Sequence, residues 1–228
     1  GACRTTIEAI QMGLPVARIE LVDPLNMKAI NTYSKLDYAE VPTLFLEFHG
    51  TEAGVNEQLE IFSQIADENG GGHFQSTVQT EERNKLWQAR HDAYWAALKL
   101  RPGCEGISTD SCVPISRLAD CILETQADIE QEGLLAPILG HVGDGNFHVL
   151  LLIDDTDETE VAKAERVVNR LNERTIAMGG TSTGEHGIGQ GKRAIMELEH
   201  GRGVEFMRLI KAGFDPDNIM NPGKILPS

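Results

Sequence analysis

Basic residues are scarce in this chain: 20 Lys and Arg stand against 35 Asp and Glu, a formal net charge of -15. A surface of that sign repels phosphate backbones and anionic headgroups, which argues against a nucleic-acid partner and a polybasic membrane anchor. No run of 18 apolar residues occurs, so no membrane-spanning helix is expected. The four cysteines, Cys3, Cys104, Cys112 and Cys121, form no Cys-x-x-Cys pair. That spacing suggests neither a zinc ribbon nor a redox pair and points to reduced thiols in a cytosolic compartment. The opening residues lack the charged-then-apolar pattern of a secretory signal, and none is expected. Internal repeats, low-complexity tracts and flexible linkers are also missing. What is there, 228 residues of which 41% are hydrophobic, is ample for a packed core.

Periodicity divides the chain into alternating elements. Thr5 to Met12 reads as the end of a helix, closed by Gly13 and Pro15. Val16 to Val22 alternates as a strand, and Asp23-Pro24 caps a helix with Met27, Ile30 and Leu36 on its stripe. Pro42 to His49 is a second strand. A helix through Val55, Leu59, Phe62 and Ile65 ends at Gly70-Gly71-Gly72, and His73 to Val78 is expected as a third strand. Thr80 is read as the cap of a helix with Glu81 and Glu82 in its first turn. Gly106 to Ile115 reads as a strand, and a helix runs from Ser116 to Gly133. Thr156 to Met178 is a long helix stopped by Gly179-Gly180, and a last helix passes through Val204, Met207 and Ile210. The expectation is one α+β domain.

Two stretches carry chemistry. In Gly140-His141-Val142-Gly143-Asp144-Gly145-Asn146-Phe147-His148, Asp144-Gly145 predicts a two-residue type I′ hairpin with arms Leu135–Gly140 and Phe147–Ile153. That turn opposes His141 to His148 on one face and sends Val142 and Phe147 to the other. Two neutral imidazoles about 5 Å apart suit one transition-metal ion. The second stretch, Gly179 to Gly191, has six glycines in thirteen residues, a density that suggests backbone pressed close to a ligand. It satisfies neither the phosphate-loop nor the dinucleotide pattern. Within it, Glu185 offers a third, carboxylate ligand, and His186 beside it suits a general base. The plain alternative is that these are polar surface residues in two loops. Arg90 interrupts the apolar stripe Leu86, Ala93, Ala97 of its helix, so it needs an anion, either a structural acid or a ligand.

Gly140-His-x-Gly-Asp-Gly-Asn-x-His148, Gly184-Glu-His-Gly187 and Asp215-Pro…Asn221-Pro-Gly-Lys224 resemble the C-terminal domain of FAD-linked D-2-hydroxyacid dehydrogenases, over nearly all of residues 1–228. Within that family the likeness is to the cytochrome type of D-lactate dehydrogenase and to the flavin subunit of glycolate oxidase. The resemblance implies an antiparallel sheet covered by helices, a ferredoxin-like cap domain, with FAD bound mainly by an N-terminal domain that these residues do not include. It implies that His141, His148 and Glu185 hold a divalent metal, zinc or manganese. His186 is then the base, Arg90 the clamp on the substrate carboxylate and Tyr94, a turn later, part of the pocket. Asn221 lies in a tail that in similar proteins returns to the flavin. Relatives acting on D-2-hydroxyglutarate carry lysine where Ser108 stands and asparagine where Leu150 stands, which favours a short monocarboxylate such as D-lactate or glycolate. The implied partners are that acid and an electron acceptor, whether cytochrome, quinone or electron-transfer protein, and a homodimer is left open. The implied location is cytoplasmic, or peripheral at the inner membrane, mitochondrial in a eukaryote. A self-contained metal hydrolase and a non-catalytic metal-binding module are the alternatives that the same ligands allow.

Overall fold

The computed structural model describes residues 1–72 and 74–227 and arranges them as one antiparallel sheet with helices on both faces. Helix α1 (Ala2–Gln11) leads into β1 (Val16–Val22), α2 (Pro24–Ser34), β2 (Thr43–Phe48) and α3 (Glu52–Glu68). Next come α4 (Thr80–His91), α5 (Ala93–Leu98), β3 (Glu105–Ser108), β4 (Ser111–Cys112) and α6 (Leu118–Glu132). Then follow β5 (Ile138–Gly140), β6 (Asn146–Ile153), α7 (Glu158–Ala177), α8 (Met196–His200) and α9 (Gly203–Phe214). The strand order is β2-β1-β5-β6-β3, with β4 also on β6. The expected α+β class is what forms.

Strand β6 is buried along its whole length. Its alternation sends Phe147, Val149, Leu151 and Ile153 into one core with Ile19 and Leu21, under residues of α1, α3, α6 and α7. Leu150 and Leu152 go to the opposite face with Ala97 of α5. On that face Val22, Phe45 and Leu139 pack against Met27 and Ile30 of α2 and Ala89 of α4. Burial of each large aliphatic side chain is worth about 1.5–3 kcal/mol, so this two-sided packing makes β6 the most firmly held strand.

Several expected elements differ. Residues 74–79 form no strand, and His73 lies outside the described residues, so the helix–strand alternation stops at α3. The polar run Gln75-Ser76-Thr77 has no apolar face to bury. The α4 cap residue is Gln79 rather than Thr80, with Thr77 Oγ1 accepting from Gln79 N at 3.1 Å. The continuous helix expected through Arg90 and Tyr94 is broken at Asp92 into α4 and α5. The strand read over Gly106–Ile115 is interrupted at Thr109–Asp110, although both pieces keep one register against β6: Ser108↔Leu150 and Ser111↔Phe147.

Asp23 fastens β1 to α2 and β5. Its two oxygens accept from Asn26 N at 2.7 Å and from Ile138 N at 2.9 Å. Burial pushes this carboxyl up to about 6, against the two backbone hydrogen bonds that pull it down. The folded chain therefore holds this proton more tightly than the unfolded chain. That contribution is complete below the ordinary value of 3.8 and is lost as pH rises through about 6. Urea midpoints measured from pH 4 to 7 are expected to carry a falling component that Asp23→Asn removes; an unaltered slope in the variant refutes the assignment.

Candidate metal and substrate site

The hairpin between β5 and β6 is tight, but its turn is not the expected one. Val142–Asp144 form a single 3₁₀ turn, and Gly145 takes the left-handed conformation with φ 77°. The carbonyl of His141 accepts from both Asp144 N at 3.0 Å and Asn146 N at 3.3 Å. A longer loop of this kind, built on a right-handed turn with one left-handed glycine, needs positive φ at one residue only. The register is Leu139↔His148, so His148 faces Leu139 and not His141. The shift is by two residues, which preserves the face because strand alternation has period two. His141 and His148 still meet, their rings perpendicular with centroids 5.9 Å apart. Val142 and Phe147 lie in the opposite core as expected.

Each imidazole is held through Nδ1. His148 Nδ1 lies 3.0 Å from the carbonyl of Thr109, and His141 Nδ1 lies 2.7 Å from Glu20 Oε1. Both Nε2 atoms then turn to one carboxylate oxygen: Glu185 Oε1 is 3.1 Å from His148 Nε2 and 3.5 Å from His141 Nε2. The His186 ring stacks on His148 at 4.8 Å, with its Nε2 3.7 Å from the same oxygen. The hydrogen bond to Glu20 pushes His141 above its ordinary imidazole value, against burial. Burial pushes His148 below it.

Glu20 was not legible as a site residue in the sequence. It projects from β1 beside His141, and its second oxygen accepts from Arg90 Nη2 at 2.9 Å, in a nearly buried pair. Arg90 therefore has the structural acid that its place in the stripe demanded. Its Nε is buried and lacks a hydrogen-bond partner among the described residues. Arg90, Glu20 and His141 line one cavity of about 320 Å³ together with Arg18, Trp87, His91 and Asp144. Tyr94 is not brought there. It is partly exposed, edge-on to Trp95, with its hydroxyl beside Gly106. Asn221 lies in the exposed tail with φ 48°. That tail joins the glycine-rich segment through Ile225 N to the carbonyl of Gly189 at 2.7 Å.

Asp110 is the second carboxylate that the sequence did not single out. It sits at the interruption between β3 and β4 and accepts from Glu185 N, His186 N, Thr183 Oγ1 and Asn146 Nδ2. Burial alone would raise its carboxyl, but these donors hold it down at about 2. Two of the glycines that suggested a ligand serve the protein's own packing, whereas Gly187, Gly189 and Gly191 face open space. A Cβ on Gly184 would meet Asn146 Nδ2 at 1.9 Å, and one on Gly180 the carbonyl of Cys112 at 2.2 Å.

The profile of "FAD linked oxidases, C-terminal domain" matches residues 1–225. The chain belongs to this family. It is 49% identical over 226 residues to "Probable D-lactate dehydrogenase, mitochondrial" of Danio rerio, covering 99% of this chain and 46% of that protein. It is 39% identical to "D-lactate dehydrogenase [cytochrome], mitochondrial" of Arabidopsis thaliana, covering 99% of this chain and 40% of that one. "Glycolate oxidase subunit GlcD" of Escherichia coli K12 is 30% identical, with 97% and 44% covered. The chain thus spans less than half the length of these relatives. The solved structure "4-ethylphenol oxidase from Gulosibacter chungangensis: isoeugenol complex" superposes with TM-score 0.70 at 15% identity, over 99% of this FAD-linked oxidase chain and 51% of the other. That likeness is one of fold.

Glu20→Gln keeps the side chain's shape but faces one of its two donors with an N–H. A buried donor left unpaired costs about 1–3 kcal/mol, so chemical unfolding is expected to show a loss of that size. Glu47→Gln, whose partners Arg18 and His49 are largely exposed, is expected to change stability by less than about 0.5 kcal/mol. Equal effects of the two substitutions would contradict the role given to Glu20.

Proposed function

We propose that this chain is the substrate-binding half of a flavin-dependent D-2-hydroxyacid dehydrogenase acting on a short acid of the D-lactate or glycolate type. One observation carries the reading: two imidazole Nε2 atoms converge on one carboxylate oxygen at 3.1 and 3.5 Å, at the edge of a cavity that contains Arg90. Ligands each about 2.1 Å from a tetrahedral ion stand about 3.4 Å apart, and the Glu185 oxygen has about that separation from both ring nitrogens, which supports His141, His148 and Glu185 as the holders of a divalent metal, zinc or manganese. The Nδ1 partners Glu20 and the Thr109 carbonyl are the kind of outer support that fixes the tautomer of a ligating histidine.

When bound, the metal supplies acidification of the substrate hydroxyl, and the family's FAD supplies acceptance of two electrons. The chain's own residues do the rest. Arg90 binds the substrate carboxylate through donors not taken by Glu20, fixing the α-carbon beside His141. His186 Nε2 takes the hydroxyl proton, leaving the 2-oxo acid once the α-hydrogen has gone with its electron pair. The Glu185 and His186 side chains are about half exposed, so another body has to cover this side to exclude water.

The flavin-bearing half is that body. On α9 and the following tail, Phe206, Leu209, Ile210, Phe214, Ile219 and Met220 are all at least 60% exposed. This apolar surface is tied to the site's loop by the bond from Ile225 to Gly189. The electron acceptor is a cytochrome, quinone or electron-transfer protein. A mitochondrial location is supported by the names of the Danio rerio and Arabidopsis thaliana relatives, and no helix among the described residues is long and apolar enough to cross a membrane.

In the flavin-loaded enzyme, Glu185→Ala is expected to abolish bound zinc or manganese by elemental analysis and to slow flavin bleaching by D-lactate by at least about 100-fold. Arg90→Lys is expected to keep its metal while KM rises about 10- to 100-fold. Metal content unchanged in Glu185→Ala removes that residue as a ligand; a normal KM in Arg90→Lys removes the clamp.

A further inference from the structure

We infer that Asp110 is the positioning residue of this site: it folds the Glu185–His186 loop into its working shape before any ligand arrives, and it touches neither metal nor substrate. The functional consequence rests on the metal reading above, whereas the positioning itself does not. Proximity alone would class Asp110 as a ligand. Its oxygens lie with those of Glu185 and the ring nitrogens of His148 and His186 in a group whose ligand atoms are all within 4.8 Å of one another. The bonding says otherwise.

A carboxylate has about four lone-pair sites, two on each oxygen, and here the donors crowd one oxygen and take one site of the other. Oδ2 accepts from Glu185 N at 2.8 Å, His186 N at 2.6 Å and Thr183 Oγ1 at 3.0 Å. Oδ1 accepts from Asn146 Nδ2 at 3.1 Å. The side chain is completely buried, so neither oxygen is open to solvent, and the oxygen that faces the loop has its lone pairs fully taken. His148 cannot compete, because its Nδ1 is 3.8 Å from Asp110 and bonds the Thr109 carbonyl at 3.0 Å instead.

The loop is wrapped around this one group. Gly184 N bonds the Asp110 carbonyl at 3.2 Å, and Gly187 N bonds Thr183 Oγ1 at 2.7 Å, so residues 183–187 turn about the carboxylate. Two successive backbone N–H groups aimed at one oxygen make an anion nest with the anion built into the sheet. Asp110 itself is fixed by the strand register on either side, Ser108↔Leu150 and Ser111↔Phe147. The position of Glu185 is therefore set by β6, through Asp110, and not by the metal it would bind.

Hydrogen exchange of the Glu185 and His186 amides, with Zn²⁺ titration by calorimetry, tests this on the 228-residue chain and the flavin-loaded enzyme. In chelator-treated wild type both amides are expected to exchange at least about 10-fold more slowly than in Asp110→Asn, and Zn²⁺ is expected to bind 10- to 100-fold more weakly to the variant. Thr183→Val, a milder change should Asp110→Asn not fold, is expected to speed exchange at Gly187 and Glu185 while the sheet amides stay protected. Amides that exchange freely in wild type until Zn²⁺ is added would overturn the inference. So would an Asp110→Asn protein with full amide protection and no Zn²⁺ binding, which would make Asp110 a ligand. Protection that depends on Asp110 in a wild type that binds no Zn²⁺ would sink the metal reading and uphold the positioning.

Discussion

A strand buried on both faces can carry a polar side chain only where that side chain's own hydrogen bonds are met, and β6 is such a strand. Its apolar residues specify the sheet, while His148 is admitted because the Thr109 carbonyl satisfies its ring. The rest of the site follows from that one exchange. Where β3 gives way to β4, Thr109 turns its carbonyl to the imidazole while its hydroxyl oxygen accepts from Val149 N, and the next residue is freed to face the glycine-rich loop. The gap in the ladder is the place where the sheet's hydrogen bonds are spent on chemistry.

Two inward carboxylates then divide the labour. Glu20 meets two cationic or donor groups from different elements, Arg90 of α4 and His141 beyond β5. Asp110 meets backbone and neutral donors of a third segment. Neither anion would be tolerated in the interior alone, since an unpaired buried charge costs several kcal/mol. Each is balanced by the groups that it aligns, so the alignment is part of the folded state's own stability. A site built this way has little to reorganise when substrate arrives.

The sequence disclosed the parts whose geometry is local. Alternation located β1 within its observed bounds, and the family's motif pair put His141, His148, Glu185 and His186 in one neighbourhood. Helical spacing exposed Arg90 as a charge on the wrong face. What it hid was tertiary. Glu20 in Arg18-Ile19-Glu20-Leu21 looks like any outward acid on a half-buried strand, and Glu47 has the same appearance with no such role. Asp110 in Ser-Thr-Asp-Ser carries no periodic signal at all, because its partners lie 36 to 76 residues away. The turn type failed because Asp-Gly marks a turn without fixing its length, and the right face survived only because the shift was even. Tyr94 lies off the cavity that Arg90 lines, with its hydroxyl beside Gly106, a placement that helical spacing alone does not disclose.

The pairing of β3 and β4 with β6 runs in a single register across Thr109–Asp110. Its length is therefore locked: one residue added there would carry Ser111 and Cys112 to the reverse side of the sheet. Paired insertions would restore the side but move the anchoring acid about 7 Å along the strand, beyond reach of the loop it serves. Drift in the size of such a domain must accumulate instead in segments such as 35–42 and 74–79, which no ladder counts.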